Sequence, residues 1–219
     1  MTTPQSGQFP IPTIEQWITH LDELIAVPID SAPLRATDDE KYAYIESFQD
    51  EFGARRATDR ALLSRVLGVA HTPQAERGSD LDVLFWDAVH DAAQINWEPR
   101  ISKTDGLVDP ANYAIEHRTL IELCALHALW HLASKSERIN DLIDWHTREL
   151  QPDNGINRPW GFHAFIVRSI EAEDEETRRS AMLHAQTLVN NCCITLGQPD
   201  ILSALILLDG TNALREFIN

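Results

Sequence analysis

The sequence predicts an all-α protein of stacked antiparallel helical hairpins, arranged as an open arc or a compact bundle. Three observations predict it. Apolar residues recur at helical spacing almost throughout, no segment alternates as a strand, and prolines recur at helix starts, where a missing N–H costs nothing. The chain has 219 residues, of which 43% are hydrophobic and 24% charged, a composition that folds rather than stays disordered. That length suits one continuous domain. Within it the sequence marks an N-terminal helix (1–27), helical hairpins (37–95) and a hairpin core (110–219).

The first helix opens at Thr13 with Gln16 as reciprocal capping partner, and Ile14, Trp17, Ile18, Leu21, Leu24 and Ile25 form its stripe. Val27 before Pro28 ends it. Thr37 and Glu40 form a second capping box, followed by Tyr44, Ile45, Phe48 and Phe52. Leu62, Leu63, Val66 and Leu67 mark a third helix from about Thr58. Leu81, Leu84, Phe85, Ala88, Val89, Ala92 and Ile95 mark a fourth, led in by Ser79 or Asp80.

The second half places helices over Pro110 to Ser134, Ser136 to Leu150, Pro159 to about Ala172, Glu175 to Leu196, and from Pro199 onward with Gly210 as a candidate break. Gln151-Pro152-Asp153 recurs as Gln198-Pro199-Asp200, 47 residues later, a spacing suited to a repeated helical hairpin. Trp160, Phe162, Ala164, Phe165, Ile166, Val167 and Ile170 make the helix after Pro159 apolar nearly all round, so it belongs inside the others.

Charge and cysteine content exclude whole classes of function. Lys plus Arg number 18 against 34 Asp plus Glu, a formal net charge of −16. Such a surface repels nucleic-acid phosphates and anionic lipids, and the largest basic clusters are mere pairs, Arg55-Arg56 and Arg178-Arg179. No nucleic-acid or membrane role is expected. The longest apolar run, Ala204 to Leu208, is too short to span a bilayer, and the first residues show no secretory pattern. Cys124, Cys192 and Cys193 cannot make a disulfide framework, which fits a reducing, cytoplasmic setting.

Two groups of residues carry chemistry. Cys124, His127 and His131 stand at i, i+3 and i+7 on one helix, a set compatible with zinc or another transition metal; the alternative is a hydrogen-bonded core. His146 repeats with Ile139, Leu142, Ile143 and Leu150 and so faces inward. The other group is the stretch Gln151 to His163, with Asp153, Asn154, Asn157, Arg158, Trp160 and His163 crowded at the start of the buried helix. Free N–H groups there, with Arg158, suit a carboxylate, phosphate or hydroxyl. The expected function is binding, of a small polar ligand or a protein partner, in a polar pocket at that helix start, with Trp145, Asn154, Asn157, Arg158 and Trp160 as ligand-binding residues. The alternative is a hydrolase or lyase on a small polar or sugar-like substrate. In that reading His146 or His163 is the base, Asp153 orients an imidazole and Arg158 stabilises an anion, with a metal on Cys124, His127 and His131 in a metal-dependent version.

The Trp160-led helix and the repeated Gln-Pro-Asp joints resemble the α/α-hairpin proteins of the toroid type, the architecture of terpenoid cyclases and six-hairpin glycosidases. The resemblance covers about Pro110 to Leu214. It implies a toroid-like arc with ligands at one end of an inner helix ring, where Trp145, Asp153, Asn157, Arg158 and Trp160 would fall. An Asp-rich cyclase motif and a glycosidase acid pair are absent from the sequence, and 219 residues are short for six hairpins.

Overall fold

The computed structural model describes residues 10–50, 53–76, 78–91, 106–134, 136–150 and 156–219. Among them the chain is all-helical: α1 (Ile14–Ile25), α2 (Asp38–Ser47), α3 (Ala57–Leu67), α4 (Leu81–His90), α5 (Ile115–Ala133), α6 (Glu137–Glu149), α7 (Phe162–Glu171), α8 (Glu175–Asn191) and α9 (Ile201–Ile218). None of these helices is long and apolar enough to cross a membrane.

Local chemistry sets several boundaries. The Thr13 hydroxyl accepts from the Gln16 N–H at 3.3 Å while Gln16 Oε1 accepts from the Thr13 N–H at 2.9 Å, and Thr37 and Glu40 repeat the exchange at α2. Gly68, at φ 69°, ends α3 in the left-handed region. Of the residues assigned to helix stripes from the sequence, Phe52, Ala92 and Ile95 lie outside the described residues.

Several boundaries differ from the sequence expectation: α2 stops at Ser47, with Phe48 already extended, and α4 stops at His90. Pro110 opens a short 3-10 turn, capped by Asp109, and α5 begins only at Ile115. Pro159 precedes a turn through Trp160 and Gly161, so α7 begins at Phe162. Asp200 rather than Pro199 sets the start of α9, its carboxylate accepting from the Ser203 N–H at 2.8 Å. Helix α8 ends at Asn191, because Cys192 to Leu196 turn back on themselves through bonds such as Cys193 N–H to Asn190 O.

Gly210 does not interrupt α9. A Cβ there would fall 2.4 Å from Phe162 Cε1 and 2.9 Å from His163 Nδ1, so the glycine lets α7 approach α9 closely. Helix α7 touches α1, α5, α6, α8 and α9. It fills the centre that a ring of hairpins leaves open, and the architecture is a compact bundle around α7. One main core runs from Trp17 and Leu21 on α1 through Leu126 and Leu129 on α5 to Phe165 on α7 and Ile206 on α9.

Candidate functional site

The turn that leads into α7 forms one wall of a cavity of about 270 Å³. Asn157, Arg158 and Trp160 line it, together with Asp50 after α2, Arg56 and Asp59 at the start of α3, Glu116 and His117 on α5, and the apolar patch of Leu120, Ile156 and Leu202. Asp153 and Asn154 lie outside the described residues.

Two polar atoms of this lining have no partner. Asp59 is 3% exposed and its Oδ2 is buried without a hydrogen bond, as is the indole Nε1 of the fully buried Trp160. Leaving a buried polar group unmatched costs roughly 1–3 kcal/mol, and both atoms have essentially no accessible surface, so they lie behind the cavity wall rather than open to it. Burial pushes the Asp59 carboxyl up to about 7, against the pull of Arg56 and with the help of Asp50, Asp82 and Asp200. Arg56 reaches Asp82 through Nη2 at 3.2 Å. Burial likewise raises Asp82, again against Arg56. Arg158 is anchored by Nη1 to both Asp200 oxygens, at 2.6 and 2.5 Å, and to Ser203 Oγ at 3.0 Å.

Trp145 and His146 stand elsewhere. Trp145 lies against Gly106, where a Cβ would come 2.5 Å from its ring, and under the Arg118 guanidinium at 5.2 Å. His146 is fully buried, its Nε2 3.2 Å from Glu122 Oε2, while Glu122 Oε1 accepts from the Leu107 and Val108 N–H groups. Neither residue borders the cavity.

Behind Trp160 the helices bring together a second polar group, which includes an acid the sequence reading missed. Asp209 of α9 accepts from Arg65 Nε at 3.0 Å through Oδ1, and its Oδ2 lies 3.1 Å from His127 Nε2 and 2.6 Å from His131 Nε2. Burial alone would raise the Asp209 carboxyl, but its contacts with His131 and His127 hold it well below the usual range. The ligand-type atoms of His127, His131 and Asp209 lie within 4.8 Å of one another. Cys124 is not one of the set; burial, with Asp82 nearby, pushes its thiol well up.

The direction of the hydrogens decides what this group can do. His127 Nδ1 accepts from the Gly161 N–H at 3.2 Å. His131 Nδ1 lies 3.1 Å from Arg65 Nη2, and a guanidinium can only donate. Both Nδ1 atoms therefore accept, both Nε2 atoms carry the hydrogen, and both donate to Asp209. An imidazole that binds a metal through Nε2 offers a lone pair there and donates from Nδ1 to an acceptor; here both second partners are donors. The arrangement fits a hydrogen-bonded lock joining α3, α5 and α9. Desolvation lowers His127 to about 4, in keeping with a neutral ring. His163 lies against this lock, its ring 4.4 Å from that of His127, fully buried with neither nitrogen hydrogen-bonded, and burial holds it well below the ordinary range.

Sequence carried a signal for both missed acids. Asp59 precedes Leu62 and Leu63 by three and four positions, and Asp209 stands four from both Leu205 and Ala213, so each is a carboxylate in step with an apolar stripe. No family model, curated protein or solved structure matches the chain.

Proposed function

We propose that this protein binds a small polar ligand in the cavity at the start of α7. The observation that carries the reading is the lining itself: Arg56, Arg158 and Asn157 with the acids Asp50, Asp59 and Glu116, beside an apolar patch of Leu120, Ile156 and Leu202, on one cavity at the start of α7. At about 270 Å³ it falls near the lower end of the roughly 300–1,000 Å³ of ligand pockets, so the ligand is small. The acidic chain, with its three free cysteines, fits a cytoplasmic protein without nucleic-acid or membrane partners.

Ligand-observed NMR with a mixture of small carboxylates, amides, amines and sugars tests this on the wild type and on Leu120→Trp, which fills the cavity. Binding to the wild type and none to a folded Leu120→Trp is the expected result. Equal signals from both proteins, or none from either, sink the reading.

A specific observation favours a second reading, a hydrolase or lyase: an acid near 7 in a cavity is poised to give and take a proton at neutral pH. Asp59 then takes the acid–base role, with Arg158 stabilising negative charge. If turnover exists, Asp59→Asn abolishes it while ligand binding persists; turnover that survives that substitution excludes Asp59 from the chemistry.

A further inference from the structure

We propose that the ligand of this cavity is a small organic cation, a primary ammonium on a short apolar body, held by the carboxylates of Asp59 and Glu116. This rests on the ligand-pocket reading and gives the ligand its sign.

The guanidiniums on the wall are already matched. Arg56 Nη2 meets Asp82 at 3.2 Å, and Arg158 Nη1 meets both Asp200 oxygens, at 2.6 and 2.5 Å. Asp82 and Asp200 do not themselves line the cavity, whereas Asp50, Asp59 and Glu116 do. Burial raises both Asp59 and Asp82, but with both protonated Asp50, Glu116 and Asp200 still stand against two arginines. Ionising Asp59 adds a further negative charge. An anion entering this space meets no guanidinium without a carboxylate partner, and a cation is drawn in.

Asp59 is the acid that lacks a partner. It is 3% exposed, and no hydrogen bond or ion pair joins it to any described residue; its Oδ2 is sealed, so the carboxylate meets the cavity through the other oxygen. An ammonium placed there supplies a countercharge and a donor together. Glu116, exposed on the first turn of α5, borders the same space and adds a second acceptor.

The spread of the acids favours an organic cation over a bare ion. Among the described residues, three metal-type ligand atoms fall within 4.8 Å of one another only at His127, His131 and Asp209, so Asp50, Asp59 and Glu116 do not converge on one metal ion. The patch of Leu120, Ile156 and Leu202 receives a carbon chain or small ring.

Binding then carries a proton signature. Groups facing Asp59 from the surrounding elements are Arg56 on its own helix start, Asp50 after α2, Asp82 on α4 and Asp200 at α9; Glu116 and His117 on α5 and Arg158 before α7 share its cavity. An ammonium pairs with ionised Asp59, so below about pH 7 its arrival displaces the proton that Asp59 holds.

Titration calorimetry with butylamine, benzylamine, the neutral butanol and benzyl alcohol, butyrate and magnesium chloride tests the proposal. It is run at pH 5, 6, 7 and 8 in buffers of different ionisation enthalpy. Butylamine or benzylamine is expected to bind with release of about one proton below pH 7, affinity falling about tenfold per pH unit there. Asp59→Asn still binds the amine, about tenfold more weakly at pH 8 and without proton release or pH slope. Alcohols or butyrate binding as well as the amines, magnesium binding in their place, or amine binding that Asp59→Asn leaves unchanged each overturn the proposal while the pocket reading stands. Failure of all six probes overturns the ammonium ligand alone when the NMR mixture shows a ligand lost in Leu120→Trp, and both readings together when it shows none.

Discussion

Arg158 and Asp200, 42 residues apart, form a clasp in which one guanidinium nitrogen meets both carboxylate oxygens at 2.6 and 2.5 Å, while the same carboxylate caps α9. A residue of the cavity wall thus also fixes the start of the last helix. Arg158→Met should lower unfolding free energy by about 1–3 kcal/mol, since Asp200 loses a charged partner in a half-buried place. Urea denaturation at pH 7 measures it; an unchanged midpoint would show the clasp to be idle.

Asp59→Asn should stabilise the protein, and more so as pH rises. The folded acid titrates near 7, above its ordinary 3.8. The folded state therefore holds a proton that the unfolded state has released, and stability falls as pH climbs from about 4 to 7, by up to about 4 kcal/mol. Asparagine has no proton to lose. Denaturation curves at pH 4.5 and 8 should diverge between wild type and variant, the variant gaining at pH 8; parallel shifts at both pH values contradict the assignment.

Acid should work in the opposite sense through the imidazoles. His127 is lowered from 6.5 to about 4 and His163 is lowered well below its ordinary value, burial being the main cause in both. Their stabilising contribution is whole above pH 6.5 and drains as pH falls through the folded values, about 3 kcal/mol for His127 alone. His163→Leu, which replaces two unmatched nitrogens by an apolar group of similar size, should be neutral or stabilising at pH 7 and should flatten the acid limb. A loss of more than about 2 kcal/mol at pH 7 would mean that His163 has a partner in solution.

Gly210→Ala sets two effects against each other. Alanine gains about 1 kcal/mol of helix propensity, but its Cβ meets the buried Phe162 ring at 2.4 Å, and overpacking costs roughly 1–3 kcal/mol or more. The clash should win. A lower thermal midpoint is expected, and a higher one would show that α7 has room to move away from α9.

Elemental mass spectrometry of untagged protein purified without chelator should find no stoichiometric metal, because both Nδ1 atoms in the His127, His131 and Asp209 lock accept hydrogen bonds. Near-stoichiometric zinc that disappears in a His127→Ala, His131→Ala double variant would show that Gly161 and Arg65 rearrange to free the ring nitrogens.

What the sequence made legible was local. The capping boxes at Thr13 and Thr37 and the burial of the helix after Trp160 depend on neighbours within a few positions, and all three are seen. Asn157, Arg158 and Trp160 share a wall because they share a turn. The opposite wall comes from α3, about a hundred residues earlier, and periodicity does not say which helix faces which. Asp59 and Asp209 were visible only as acids on apolar stripes, and Cys124 was grouped with His127 by a spacing that says nothing about what the facing helices supply.

The left-handed Gly161 before α7 offers no side chain to cap the helix, and its own N–H is given to His127 on α5. This helix, buried along most of its length, therefore has its start held by a neighbour. A peptide spanning 159–172 alone is too short to be a stable helix in water, so the beginning of α7, and the cavity wall it forms, depend on contacts that α5 supplies like a keystone's neighbours in an arch.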